Sequence, residues 1–392
     1  MTDKNCKAQA PFRYDIVGSF LRPEKLKQKR AAFTAGEISL KELETAEDAA
    51  IRELVAKEKE LGLQAVTDGE FRRRYWHLDF LAGLRGIEEV KAQHWSVKFK
   101  GKQPKAATIR IVDNIDFDTH PFLKHFQFLQ TIAGDKLVKF TIPSPSMLHL
   151  ICCVRAADYT SIPQYEDETT LYHDIAIAYQ KIIKAFYEAG CRYLQLDDTS
   201  WGEFCDAEKR AGYKERGFDL DHIAKEYVRM INLALEVKPR DMTITMHICR
   251  GNFRSTWFSS GGYEPVAEVL FGNCQVDGFF LEYDSERAGG FEPLRFIKDQ
   301  QVVLGLVTSK SPELEDEENV IARIHEAEKY VPLNQLCLSP QCGFSSTEEG
   351  NLLTENQQWE KIKLIRRIAE QVWLVIITAL ESIAICLSEP II

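Results

Sequence analysis
Short runs of β-branched and aliphatic residues alternate along this chain with longer runs of helical period. The first short run, 14–20 (YDIVGSF), precedes 40–61, where Leu43, Ala46, Ala50, Leu54 and Leu61 recur at helical spacing among charges. Further strand candidates begin at 65 (AVTDGEF), 136 (KLVKFTI), 193 (YLQL), 242 (MTITMHI), 278 (GFFLE), 301 (QVVLGLV) and 335 (QLCL). Amphipathic helices are predicted at 171–189, 219–235, 314–330 and 355–372. In the first of these Ile175, Ala178, Ile182, Ala185 and Phe186 share a face, and Gly190 supplies the stop. Such alternation implies parallel βαβ units around a buried sheet. Eight strand candidates predict a closed (β/α)8 TIM barrel rather than an open doubly wound sheet. The stretch 82–119 breaks the rhythm. There 95–100 (WSVKFK) and 108–112 (TIRIV) alternate like a β-hairpin, an insertion after the second strand. Residues 1–392 are expected to form a single barrel domain.

Polar residues gather at the C-terminal ends of the strand candidates, the end that carries chemistry in a barrel. They are Ser19, Asp68 and Glu70, then Ser144 and Ser146, Asp197 and Asp198, His247 and Cys249, Glu282 and Asp284, Lys310, and Cys342. No GxGxxG or Walker glycine pattern opens a helix, which lowers the dinucleotide and P-loop readings. His247 and Cys249 are two apart and point to one side of a strand. Taken alone, that pair reads most simply as a core histidine beside a filler cysteine. Glu282 and Cys342, at two further strand ends, change the balance. One imidazole, two thiols and a carboxylate suit zinc, and thiolates disfavour magnesium or calcium.

Composition narrows the partners. Lys and Arg number 49 against 59 Asp and Glu, a formal charge of -10. This argues against nucleic acid and against an anionic membrane surface. Ten cysteines in 392 residues fall far below the density of a disulfide scaffold. Residues 1–10 (MTDKNCKAQA) carry no apolar signal core, so a cytoplasmic protein with free thiols is expected. Cys152, Cys153, Cys191, Cys274 and Cys337 lie in apolar contexts and are expected in the core.

His247-Ile248-Cys249, Glu282 and Cys342, in that order, resemble the zinc site of cobalamin-independent methionine synthase, in its catalytic C-terminal barrel. Val17-Gly18-Ser19 looks like that family's first-strand motif, which holds the homocysteine carboxylate. Asp68-Gly69-Glu70 and Gln195-Leu196-Asp197-Asp198 look like its second- and fourth-strand motifs, whose Glu and first Asp hold the amino group. The likeness spans about 12–373. It implies methyl transfer to the homocysteine thiol, with the zinc ligands His247, Cys249, Glu282 and Cys342 and the substrate residues Gly18, Ser19, Glu70 and Asp197. Three departures stand out. A counterpart of the long members' N-terminal barrel is not expected within these 392 residues. The third-strand loop, 143–148 (PSPSML), has no Trp to stack on a pterin. Lys310 stands before Ser311-Pro312, where the family has a proton-transferring His. The chain is most similar to short single-barrel members, whose methyl donor is methyltetrahydrofolate or another methyl carrier. Lys310 is the candidate for proton transfer.

Plainer readings compete. Glu70 could pair with Arg72, Arg73 or Arg74, which themselves read first as an ion-paired face. Asp197 and Asp198 could cap a helix, and strand alternation lets only one of them face the site; Asp197 is favoured. Trp201 and Trp257 read first as packing. Two other functions remain open: alkyl transfer to a different thiol, as in the epoxide–coenzyme M transferases that resemble the same barrel, and a non-catalytic barrel with a structural zinc. The apolar stretch 372–392 is interrupted by Glu381 and followed by Glu389 and Pro390, which points to a docked terminal helix or an appended tail rather than a membrane span.

Overall fold
The computed structural model describes residues 10–91 and 107–374. Its strands are β1 (Ala65–Val66), β2 (Arg85–Lys91), β3 (Ala107–Asp116), β4 (Leu137–Pro143), β5 (Tyr193–Asp198), β6 (Thr243–Ile248), β7 (Gly278–Glu282), β8 (Gln301–Val307) and β9 (Leu336–Pro340). Seven of them, β1 and β4 to β9, pair side by side in chain order, every pair parallel. The sheet curls as a TIM barrel does, and its strand ends collect on one face. Strands β4 to β9 are buried almost throughout, as parallel strands covered by helices must be.

The first expected strand, at 14–20, is not a regular ladder strand. It touches the sheet at two bridges, Tyr14 with Leu338 and Ser19 with Gly69, and so spans the gap between the last strand and the first. Its carbonyls are taken by side chains from inside the ring. Lys139 Nζ donates to Ile16 O, Gln195 Nε2 to Val17 O (2.7 Å), and Thr67 Oγ1 to Gly18 O (2.8 Å). The expected strand at 65–71 shrinks to two residues, because the chain turns through Gly69 (φ 62°) and Glu70 (φ 60°). The insertion after it is a hairpin, but with a different partner strand from the expected one. Residues 108–112 lie in β3 and pair with β2, in the register Ile87 to Ile111 and Glu89 to Ile109. Residues 95–100 lie outside the described residues, as does 375–392 of the apolar C-terminal stretch.

The predicted helices are Leu40–Glu60, Glu168–Glu188, Leu220–Leu235, Glu317–Ala327 and Glu355–Ala369. The first begins with a capping box between Ser39 and Glu42, and the last with one between Thr354 and Gln357. Gly190, at φ 103°, follows the second helix as expected. Inside the ring Val17, Phe280, Val303 and Cys337 pack together. Lys139 and Asp15 lie there too, fully buried and 3.3 Å apart. Cys152, Cys153, Cys191, Cys274 and Cys337 are free and buried, as expected. No helix among the described residues is long and apolar enough to cross a membrane.

Candidate metal centre and its cavity
Alternation along β6 turns His247 and Cys249 to the same side, and β7 and the loop after β9 bring Glu282 and Cys342 to them. One ligand atom from each of the four lies within 4.8 Å of the others, all buried. The two sulfurs are 3.5 Å apart. Zinc bonds of 2.0–2.3 Å give tetrahedral edges of roughly 3.3–3.8 Å, so the spacing fits one ion.

Each donor is held from behind. His247 Nδ1 donates to Phe280 O (3.3 Å), and Nε2 is buried with no hydrogen bond among the described residues. Cys249 Sγ accepts from Gly251 N (3.3 Å). Glu282 takes Arg250 N on one oxygen (2.8 Å) and Arg287 on the other (3.2 Å). The hydrogen bond from Cys249 draws the Cys342 thiol well below its usual range against burial, with His247 helping. The same contact, with burial, pushes Cys249 well above it. Burial opposes the charge on His247, but Cys342, Asp197 and Glu282 outweigh it and raise the imidazole. The arrangement therefore favours a deprotonated sulfur, as a soft metal requires.

A cavity open to solvent joins this cluster to Val17, Ser19, Glu70 and Asp197. Glu70 Oε1 accepts from Thr141 Oγ1 (2.8 Å) and lies 3.6 Å from Arg73 Nη1, while Oε2 is buried with no hydrogen bond among the described residues. Burial raises the Glu70 carboxyl, and Arg73 and Thr141 oppose the rise. Asp197 Oδ1 accepts from Gln195 Nε2 (2.7 Å). Burial pushes its carboxyl up to about 7, with Glu70 adding and His247 opposing. Asp198 faces away from the cavity and is bound by Ser144, Ser146 and Ser200. Ser19 Oγ accepts from Ser345 N (3.3 Å). A Cβ at Gly343 would sit 2.0 Å from that oxygen, so only glycine lets the loop after Cys342 close on Ser19. Gly18 does not line the cavity. Its φ of 150° and the 2.7 Å between a built Cβ and Thr141 hold Val17 and Ser19 in place on either side.

Lys310 stands outside the cavity wall, with Nζ on Asn252 Oδ1 (3.2 Å); Asn252 is in the wall. Arg73 pairs with Glu70, Arg72 with Glu47 and Asp48, and Arg74 with Glu89. Trp201 is fully buried against Phe204 and Tyr227, and Trp257 lies under Arg287. The 143–148 loop gives the cavity no residue, and its Met147 and Leu148 are buried in the core. Trp76, His77, Arg155, Phe253 and Phe258 do line it, and the strand rhythm pointed to none of them. The available signal was position: Tyr75-Trp76-His77 directly follows the Asp68-Gly69-Glu70 turn and its arginines.

A parallel barrel whose strand ends bring a nitrogen, two sulfurs and a carboxylate beside a carboxylate-lined pocket offers a donor set for a metal ion at the face that carries chemistry in such folds. Residues 13–370 match the family described as cobalamin-independent synthase, catalytic domain, and the chain belongs to that family. It is 50% identical over 375 residues to the uncharacterized protein YxjH of Bacillus subtilis, covering 95% of this chain and 97% of that one. It is 23% identical to a methionine synthase of Saccharolobus solfataricus, covering 84% and 87%. Among solved structures it is similar to a putative vitamin-B12-independent methionine synthase from Listeria monocytogenes, at 46% identity and a TM-score of 0.76, covering 93% and 98%. A B12-independent methionine synthase from Shewanella, solved with selenomethionine, shares the fold at 18% identity and a TM-score of 0.71, covering 93% and 99%.

Proposed function
We propose that this chain is a zinc-dependent methyltransferase that makes methionine from homocysteine, with residues 12–373 acting as one catalytic barrel. A single observation carries the reading: the buried carboxylates of Glu70 and Asp197 line the same cavity as the sulfurs of Cys249 and Cys342. An amino-acid thiol needs both ends, an acidic pair for its ammonium and a soft centre for its sulfur. A thiol acceptor without an amino group, such as a sulfonate thiol, has no use for the acidic pair.

His247, Cys249, Glu282 and Cys342 are the residues to hold zinc. When bound, zinc keeps a thiol deprotonated at neutral pH. The free Glu70 Oε2 and the Asp197 carboxylate receive the ammonium. Ser19 already accepts from Ser345, so its own O–H is left for the substrate carboxylate, next to the Gly18 turn. The homocysteine sulfur, oriented in this way, attacks the methyl carbon of the donor in line. The S–CH3 bond forms as the bond from methyl to carrier breaks. The carrier leaves with the bonding pair; a folate carrier also takes a proton, for which Lys310, behind Asn252 of the cavity wall, is the proposed source. Methyltetrahydrofolate or another methyl carrier serves as donor, and the reducing cytosol suits the free thiols.

The test is turnover with homocysteine against mono- and polyglutamyl methyltetrahydrofolate, methylcobalamin and S-methylmethionine. Methionine should form with at least one donor in the zinc-loaded protein and disappear in Cys342→Ser. Methionine from none of them would count against methyl transfer.

A further inference from the structure
The acceptor amino acid leaves part of the cavity wall without a task, and His77 stands out there. His77 precedes the short helix Leu78–Leu81, and its carbonyl accepts from Phe80 N (3.2 Å) and Leu81 N (3.0 Å). The preceding Trp76 N donates to Ser346 O (3.1 Å), which ties this turn to the loop that carries Cys342. The imidazole lies against the Trp76 indole, ring centres 4.5 Å apart and planes 37° apart. Its Nδ1 is buried with no hydrogen-bond partner among the described residues. Buried polar atoms are nearly always partnered, so an unpartnered one in a cavity wall asks for a ligand. Arg155, in the same wall, does not supply the partner. It is held by Glu203 (Nε to Oε1, 2.9 Å) and Thr199 (Nη2 to Oγ1, 2.9 Å). Burial and the nearby Arg155 charge push the His77 pKa down to about 3, so the ring is neutral at working pH.

Resting on the methyl transfer proposed above, we propose that His77 is the specificity-determining residue for the methyl donor. Its ring edge hydrogen-bonds a polar atom of a carrier that lies against Trp76. The amino-acid end of the cavity already has Glu70, Asp197 and Ser19, so the acceptor has no need of His77. The consequence is a division between two kinds of donor. Carriers with a planar hydrogen-bonding edge gain from His77; sulfonium donors, whose positive sulfur offers the ring no such edge, do not.

The experiment is calorimetric titration of the zinc-loaded protein with monoglutamyl methyltetrahydrofolate, methylcobalamin or S-methylmethionine in the absence of homocysteine, and with homocysteine separately, so that no turnover occurs. Wild type, His77→Phe and His77→Asn are compared. We expect at least one of the first two to bind wild type, and to bind it better than the sulfonium. His77→Phe should weaken that binding tenfold or more. His77→Asn, whose amide can replace Nδ1, should recover most of it. Homocysteine affinity and zinc content should stay level in both variants. Unchanged donor binding in His77→Phe, equal losses for homocysteine and donor, or a preference for the sulfonium would each overturn the assignment. So would a wild type that takes homocysteine but binds neither carrier. A wild type that fails to bind homocysteine would instead remove the proposed function, and this inference with it.

Discussion
Glu70 bears a backbone cost that a merely ion-paired surface glutamate has no reason to bear. Its φ of 60° is left-handed, which costs a non-glycine residue about 1–2 kcal/mol. The turn is held by Asp68 Oδ1 on its N–H (2.9 Å) and by Arg22 on its carbonyl (2.8 Å). Arg22 also grips Ser345 O (2.9 Å) and Thr347 O (3.1 Å) in the loop after Cys342. The strain thus aims one carboxylate into the cavity and binds its turn to the loop that carries Cys342. Charge-assisted hydrogen bonds contribute about 1.5–3 kcal/mol, so Glu70→Gln should raise the KM for homocysteine roughly 10- to 150-fold. Steady-state kinetics checks this, and an unchanged KM would return Glu70 to the role of Arg73's partner. Cys249→Ser and Cys342→Ser should each lose bound zinc, measured by metal analysis. Full zinc content in either would remove that cysteine from the ligand set. Much of this was readable beforehand. Alternation picked out His247 with Cys249 and separated Asp197 from Asp198, because a strand has a fixed period. His77, Trp76 and Arg155 were not readable, because they reach the cavity from a turn and from a π-helical segment, Leu150–Arg155, where no period says which way a side chain faces.

The secondary structure was legible mainly where a buried face imposed a period. The helices Leu40–Glu60 and Leu220–Leu235 stood out by their apolar stripes. The helix Pro121–Ala133 was not anticipated, although Phe122, Phe126, Leu129 and Ala133 form a buried stripe as clear as theirs. Its start is set by His120. Phe122 N donates to His120 Nδ1 (3.1 Å), so the Nε2 proton goes to Phe80 O (3.0 Å). Protonating Nδ1 would abolish this cap. Burial, opposed by the Phe80 carbonyl and aided by Arg73, lowers the His120 pKa to about 4. A histidine depressed in the folded state stabilises the protein above its unfolded pKa. That stability is lost as pH falls from about 6.5 towards 4, by at most about 3 kcal/mol. The melting temperature should therefore drop between pH 7 and 5. His120→Asn keeps an acceptor for Phe122 N without a titrating group, and should show a shallower drop. An identical slope in the two proteins would place the acid sensitivity elsewhere.

Closure of the ring depends on polar groups that alternation alone could not reveal. The 14–20 segment was expected as a strand because its residues are β-formers. It lacks a full ladder because Lys139, Gln195 and Thr67 occupy its carbonyls from within. Lys139 sits over the Phe280 ring (3.8 Å) and beside Asp15, whose other oxygen takes the Tyr193 hydroxyl (2.9 Å). Removing one member of a buried pair leaves the other charge uncompensated, which costs about 3–5 kcal/mol. Lys139→Ala should lower the urea midpoint by a corresponding amount, and Lys139→Ala with Asp15→Asn should recover part of it. No recovery in the double variant would mean that packing, not charge, is what Lys139 contributes. With the ring closed, the turn at Glu70, the end of β5, the end of β6 and the loop after β9 meet around one cavity. A thiol amino acid bridging acidic pair and metal is the account's central claim, and X-ray absorption at the zinc edge tests it most directly. Adding homocysteine to the zinc-loaded protein should add a sulfur neighbour to the two from Cys249 and Cys342, replacing a lighter one. A spectrum unchanged by saturating homocysteine would contradict it and leave a closed, structural zinc site.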